Sequence, residues 1–284
     1  MEYITDTALK QFIQSALRED IREGDHTSLA AIPKEVVRKA QLLIKGEGII
    51  AGLSLAEKIF KTFDADLELE MLLADGAPVK YGDIGFYITG SARSILSTER
   101  LVLNCMQRMS GIATYTHQLS GLIAGTKAKL LDTRKTTPNF RLCEKWAVVI
   151  GGGTNHRFGL FDMIMLKDNH NDYAGGITKS VRAAQKYLDE NNLDLKIEVE
   201  TRNLEEVKEA LEVGGVDRIM LDNMSHETMR AAISLINGKC ESEASGGITE
   251  KTIRAVAETG VDYISVGALT HSVKSMDISL KAVQ

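Results

Sequence analysis

The run Leu195-Lys196-Ile197-Glu198-Val199-Glu200 leads through a polar turn into a helix-patterned segment, Asn203 to Gly214-Gly215, and then into a second short apolar run, Arg218-Ile219-Met220-Leu221. Asn203 followed by Glu206 is capping-box-like chemistry, Leu204, Val207 and Leu211 fall at helical spacing, and the paired glycines end the segment. Strand, capped helix, strand is the unit of a mainly parallel sheet covered by helices. The rhythm extends both ways. Strand candidates lie at Lys129 to Asp132, Phe161 to Leu166, Glu241 to Ala244 and Tyr263 to Val266. Ser225 and Thr249 head two further helices that stop at Asn237-Gly238 and Gly260. Periodicity alone leaves a barrel and an open doubly wound sheet equally placed.

Upstream the pattern differs. Leu9, Phe12, Ile13, Ala16 and Leu17 form one apolar stripe, which predicts a surface helix over 7–20. From 36 to 95, short runs such as Ala40-Gln41-Leu42-Leu43-Ile44 and Gly85-Phe86-Tyr87-Ile88-Thr89, broken by glycines, predict a small strand-rich module. Ser97 is expected to cap a second helix carrying Val102, Cys105, Met106 and Met109. That start would put Arg100 in the first turn, where the helix dipole disfavours a cation by roughly 0.3–1 kcal/mol. An anionic partner would relieve the conflict.

With 284 residues, 44% hydrophobic and 26% charged, the chain is long enough for a large domain plus a small one. A net charge of -5 gives no electrostatic footprint for nucleic acid or an acidic membrane, so cations that matter must be concentrated locally. No apolar run reaches membrane-spanning length, and Met1-Glu2-Tyr3-Ile4-Thr5-Asp6 does not read as a signal peptide, so a cytoplasmic location is expected. Cys105, Cys143 and Cys240 are widely spaced and are expected to be reduced and structural.

Polar residues collect where strands end: Asp132-Thr133-Arg134-Lys135, Lys167-Asp168-Asn169-His170, Glu200, Asp222-Asn223, Ser245-Gly246-Gly247 and Gly267. Parallel α/β folds build their sites at that edge. In Ile197-Glu198-Val199-Glu200 the strand period sends both carboxylates to one face, toward a barrel interior, where they need cations, a metal or a cationic ligand. Asp222 raises the same question one strand later, although an aspartate there also suits a turn or helix cap. Matching cations are Arg134, Lys135, Arg157 and Lys167, joined by His156. Lys167 follows an apolar strand, which suits a site lysine and equally a snorkelling surface one. Ser245-Gly246-Gly247-Ile248-Thr249 and Ser265-Val266-Gly267-Ala268-Leu269 each end a strand and are expected to open a helix, the late turns where barrels commonly hold phosphate. There is no dinucleotide fingerprint and no P-loop.

At Leu131-Asp132-Thr133-Arg134-Lys135-Thr136-Thr137-Pro138 the sequence resembles the quinolinate phosphoribosyltransferase family. The resemblance continues through Asn155-His156-Arg157, Lys167-Asp168-Asn169-His170, Glu198-Val199-Glu200, Leu221-Asp222-Asn223 and Glu243-Ala244-Ser245-Gly246-Gly247, and reaches N-terminally to Thr98-Glu99-Arg100. Asn139-Phe140 and Thr154 depart from the usual pattern, which bears on loop shape. The resemblance implies an α/β fold: an open, incomplete (β/α) barrel over 116–269 with an N-terminal α/β sandwich domain over 1–115, to which 270–284 is a candidate to return. It implies transfer of phosphoribose from phosphoribosyl pyrophosphate to quinolinate with Mg²⁺ and no organic cofactor, giving nicotinate mononucleotide, pyrophosphate and CO₂ in NAD synthesis. It also implies a homodimer, extended to a hexamer in some members, with Arg100 acting across the interface.

By the same resemblance, Arg134, His156, Arg157 and the partner subunit's Arg100 hold the quinolinate carboxylates. Thr133 lines the substrate site, and Lys135 and Lys167 bridge toward pyrophosphate and ring. Glu200 and Asp222 face the ribose and Mg²⁺, and Ser245, Gly246, Gly247 and Gly267 take the 5′-phosphate. The catalytic set implied is Lys135, Lys167, Glu200 and Asp222. Competing expectations are a molybdenum-associated homologue or another pyridine phosphoribosyltransferase of altered substrate choice, a Schiff-base aldolase using Lys167, and a phosphosugar-binding protein without catalysis.

Overall fold

A computed structural model describes residues 3–283; Met1 and Glu2, part of the start read above as no signal peptide, and Gln284 lie outside the described residues. The chain divides into two compact units, one of 1–117, 136–152 and 269–284, the other of 118–135 and 153–268. The strands in chain order are β1 (Val37–Ile44), β2 (Gly48–Ile49), β3 (Glu68–Met71), β4 (Pro78–Val79), β5 (Ile84–Ser91), β6 (Lys129–Leu131), β7 (Ile164–Leu166), β8 (Ile197–Thr201), β9 (Arg218–Asp222), β10 (Glu241–Ser245), β11 (Tyr263–Ser265) and β12 (Ile278–Ala282).

The first unit is built on an antiparallel sheet in the order β12-β1-β5-β3. The helix Asp6–Ile21 matches the predicted stripe and buries Leu9 and Ile13, with Thr5 accepting from the Ala8 N–H as its cap. The strand-rich expectation for 36–95 is incomplete, because Leu53–Phe63 is a helix burying Leu55, Ala56, Ile59 and Phe60. Its Phe60 ring meets Phe86 of β5 edge-on at 5.9 Å. A further correction concerns Ser97. The helix there runs from Ala92 to Leu122, so Ser97 lies inside it and Arg100 is not in its first turn. The Ser97 hydroxyl instead donates to Asp25 at 3.0 Å, and the dipole argument for Arg100 fails. Glu144, fully buried, accepts from Arg108 Nε and Nη2 and from the Thr137 N–H and hydroxyl, so one carboxylate ties the segment after the Asp-Thr-Arg-Lys motif to its own unit.

The second unit is a six-stranded parallel sheet ordered β6-β11-β10-β9-β8-β7. Ile197, Val199, Ile219 and Leu221, buried on one face, sit among helices that bury Val207, Ala210, Met229 and Ala232, each large apolar side chain contributing about 1.5–3 kcal/mol when fully buried. The opposite face carries Glu198, Glu200, Arg218 and Glu243, as period-two alternation requires. The sheet curls. Thr154 bridges to Leu131 on the free side of β6, yet His156, two residues on, reaches Glu198 on β8 at the far side. Such closure without pairing of β6 to β7 is an open, incomplete barrel, which decides the alternative that periodicity left open. The Asn203 and Ser225 caps form, each accepting the expected backbone N–H. Thr249 does not head a helix: a turn intervenes and the helix is Ile253–Ala257.

Candidate active site

The carboxyl ends of the parallel strands bring the predicted residues together. Thr133, Arg134 and Lys135 follow β6, and the Thr133 hydroxyl accepts the Lys135 N–H at 3.1 Å, shaping the turn. Asp132, fully buried at the end of that strand, accepts from the His156 N–H at 2.8 Å and from Asn155 Nδ2 at 2.6 Å. One carboxylate thus docks the Asn155-His156-Arg157 tripeptide beside the β6 turn. Arg157 Nη1 donates to the Met163 carbonyl at 3.1 Å. Burial weakens the hold of Arg157 on its proton, and the neighbouring positive charge of Arg134 adds to that effect. Half-buried cations gathered in one sector suit an anion of more than one charge.

Acids gather in the next sector. Glu200, at the end of β8, is 8% exposed and lies 3.9 Å from Lys167 Nζ, while its backbone carbonyl accepts from Asn171 Nδ2 at 3.3 Å. Burial raises the Glu200 pKa; Lys167 opposes the rise, and the carboxylates of Asp222 and Asp168 reinforce it. Glu200 thus has one lysine at ion-pair distance and two further carboxylates in its electrostatic surroundings, and oxygen donors of this kind suit a divalent cation. Asp222 ends β9 and accepts from Asn223 Nδ2 at 2.6 Å.

The glycine turn follows β10. The Ser245 carbonyl accepts the Asn223 N–H at 2.9 Å, and Gly246 and Gly247 adopt φ of 92° and 60°. A Cβ on Gly246 would stand 2.2 Å from Asn223 Oδ1, and its φ of 92° is one that side chains rarely adopt, so the position favours glycine. Gly267 follows β11 at the same edge. Neither turn opens directly into a substantial helix, contrary to expectation: Ile253–Ala257 begins later and Ala268–His271 is a single turn. Arg100 is an exposed residue of the first unit.

Behind the mouth lies a layer that the residue patterns singled out only in part. His156, Glu198 and Glu243 form a buried cluster whose ligand-capable atoms lie within 4.8 Å of one another. Arg218 Nη1 sits 3.0 Å from Glu243 and 3.9 Å from Glu198, so the cluster carries its own cation. Burial opposes a charged His156 ring, while Glu198 and Glu243 favour it and hold its pKa up at about 9. The Arg157 N–H aimed at Nδ1 at 2.7 Å acts the other way, since an accepting nitrogen carries no proton. Burial and this contact weigh against the charged ring, and the two carboxylates weigh for it. Glu241-Ser242-Glu243 alternates as Glu198-Val199-Glu200 does, so the same period-two rule identifies Glu243; Arg218, at a strand start, gives no comparable signal.

Clustered cations and acids at the carboxyl edge of a curled parallel sheet, with a glycine turn beside them, define an α/β-barrel enzyme for small polyanionic substrates. Residues 25–110 match the family model described as "Quinolinate phosphoribosyl transferase, N-terminal domain", and residues 112–281 match its C-terminal counterpart. The chain belongs to the quinolinate phosphoribosyltransferase family. It is 48% identical to "Quinolinate phosphoribosyltransferase [decarboxylating] 2, mitochondrial" of Nicotiana glauca, over 96% of this chain and 82% of that one. It is 49% identical to "Nicotinate-nucleotide pyrophosphorylase [carboxylating], chloroplastic" of Oryza sativa subsp. japonica, over 96% and 77%. The crystal structure of NadC from Streptococcus pyogenes superposes with a TM-score of 0.91 at 40% identity, covering 99% of each chain. Among the described residues no helix is long and apolar enough to cross a membrane.

Proposed function

We propose that this chain is a decarboxylating quinolinate phosphoribosyltransferase, joining quinolinate to phosphoribosyl pyrophosphate to make nicotinate mononucleotide, pyrophosphate and CO₂ for NAD biosynthesis. The observation that carries the reading is the gathering of Arg134, Lys135, His156, Arg157 and Lys167 with Glu200 and Asp222 at the carboxyl ends of one parallel sheet, a set of cations and acids that suits a pyridine dicarboxylate beside an activated ribose. The partner subunit's Arg100 adds a third cation in the homodimer, and Thr133 keeps the Arg134 and Lys135 turn in shape. Lys135 and Lys167 then stand between the ring and the pyrophosphate, and the loop N–H groups of Ser245, Gly246, Gly247 and Gly267 receive the 5′-phosphate. Glu200 and Asp222 face the ribose, where carboxylates stabilise positive charge developing as pyrophosphate leaves.

The same two acids would hold Mg²⁺, which when bound offsets the charge of the pyrophosphate. Positioning and electrostatics carry the chemistry, and the alkylated ring nitrogen stabilises the carbanion that decarboxylation leaves. A Schiff-base role would need a desolvated lysine, whereas the Lys167 side chain is 50% exposed beside Glu200. The purified protein, mixed with quinolinate, phosphoribosyl pyrophosphate and Mg²⁺, is expected to release mononucleotide and CO₂ in equal amounts. Mononucleotide from nicotinate but not from quinolinate, or binding without product, would refute the assignment.

A further inference from the structure

Beneath the substrate-facing side chains, the barrel interior holds a second layer of charge with no role in the function proposed above. Glu198, Arg218 and Glu243 come from the adjacent strands β8, β9 and β10, and none is more than 7% exposed. Arg218 is gripped on several sides. Its Nη1 meets Glu243 Oε2 at 3.0 Å, its Nε and Nη2 donate to Glu241 Oε2 at 3.2 and 2.9 Å, and its guanidinium stacks over the Tyr263 ring at 4.2 Å. A planar cation held in this way fixes Glu241 and Glu243, and Glu198 stands 3.9 Å from it as a weaker electrostatic neighbour.

Two of those carboxylates stand against His156 at ion-pair distance. Its Nε2 lies 3.0 Å from Glu198 Oε2 and 3.4 Å from Glu243 Oε2. The opposite ring nitrogen, Nδ1, accepts the backbone N–H of Arg157 at 2.7 Å. Asp132 holds the backbone of the same tripeptide from the β6 side. Both ring nitrogens are therefore engaged in a chain of contacts that starts at the barrel floor and ends on Arg157.

We propose that Arg218, Glu243 and Glu198 are positioning residues that act through the His156 ring to aim Arg157 at the substrate. The inference rests on the reading that Arg157 grips a substrate carboxylate, and it assigns His156 a supporting part in that grip. A guanidinium preset by a rigid layer loses less freedom on binding than one carried by a loop alone.

Two measurements test it. In Glu198→Gln and Glu243→Gln, exchange of the Arg157 amide hydrogen is expected to accelerate by about tenfold, while amides within β9 keep their protection. In the same variants the KM for quinolinate is expected to rise about tenfold with the KM for phosphoribosyl pyrophosphate unchanged, yet to rise less than about twofold further when introduced into Arg157→Ala. Should either glutamine variant fail to fold, His156→Asn removes the Nε2 link while keeping an oxygen able to accept the Arg157 N–H, and the same cycle is run with it. Unchanged Arg157 exchange, or equal KM losses in both backgrounds, would overturn the proposal. The exchange measurement needs no substrate, so a wild-type protein that forms no product would defeat the assigned reaction and still leave the positioning decided.

Discussion

The two ends of the parallel sheet treat charge in opposite ways. At the amino ends each named charge has a nearby opposite or a hydrogen-bond donor: Lys127 meets Asp262 at 2.8 Å, Asp217 accepts the Ile197 N–H at 2.7 Å, and Arg218 meets Glu241 at 2.9 Å. At the carboxyl ends like charges also crowd together: Arg134 adds to the positive surroundings of Arg157, and Glu200 has Asp222 and Asp168 nearby as well as Lys167 at 3.9 Å. Crowding of like charges costs stability by itself, and the proposed function gives it a purpose: a polyanionic ligand beside a cation at the carboxyl edge, against an amino edge that serves the fold.

The comparison breaks most sharply at the arginines. Arg134→Ala or Arg157→Ala is expected to lower kcat/KM for quinolinate by about tenfold or more, at roughly 1.4 kcal/mol per decade, while the fold stays intact. Steady-state kinetics paired with thermal unfolding check both halves, and wild-type kinetics in either variant would refute the assigned roles. The acid sector is expected to respond through turnover. Glu200→Gln should cut kcat about tenfold with little change in the KM for quinolinate, and a pure KM effect would move Glu200 from the ribose to the ring.

Much of this edge is legible in the sequence, because parallel strands must deliver their loops to one side and the period-two alternation of Ile197-Glu198-Val199-Glu200 fixes where its carboxylates point. What escapes is set by tertiary contact. Ser97 has cap chemistry, yet the helix passes through it because its hydroxyl finds Asp25. The helix Leu53–Phe63 follows Gly52 at φ 95°, and in a stretch punctuated by glycines that start is indistinguishable from a turn between strands. Arg218 looks like an ordinary strand opener until the strands on either side supply Glu198 and Glu243.

Gly246 sharpens the comparison at the backbone level. Gly246→Ala places a methyl group against Asn223 Oδ1 at a φ of 92°, a conformation costing about 1–3 kcal/mol for a side chain. The loop is expected to move, so that the KM for phosphoribosyl pyrophosphate rises while quinolinate binding, measured by calorimetry, is kept. Loss of both affinities together would mean that the turn supports the whole mouth, not a phosphate subsite.

The smallest effect belongs to the satisfied end. Asp262 accepts from Lys127 Nζ at 2.8 Å and from the Ser242 N–H and hydroxyl at 2.9 and 2.6 Å. Partial burial raises its pKa, but Lys127 and Ser242 outweigh that and hold it below the ordinary value of 3.8. A carboxyl whose pKa is depressed on folding adds stability that is complete above its unfolded pKa and is lost as the pH falls through the folded one. Asp262→Asn is therefore expected to cost about 1 kcal/mol at neutral pH, with kinetics unchanged, and its deficit against wild type should shrink as the pH falls below about 4. Thermal unfolding across that range reads the outcome. A deficit independent of pH would show that Asp262 acts here through shape and hydrogen bonding without its charge, and the contrast between the two ends would then rest on the binding edge alone.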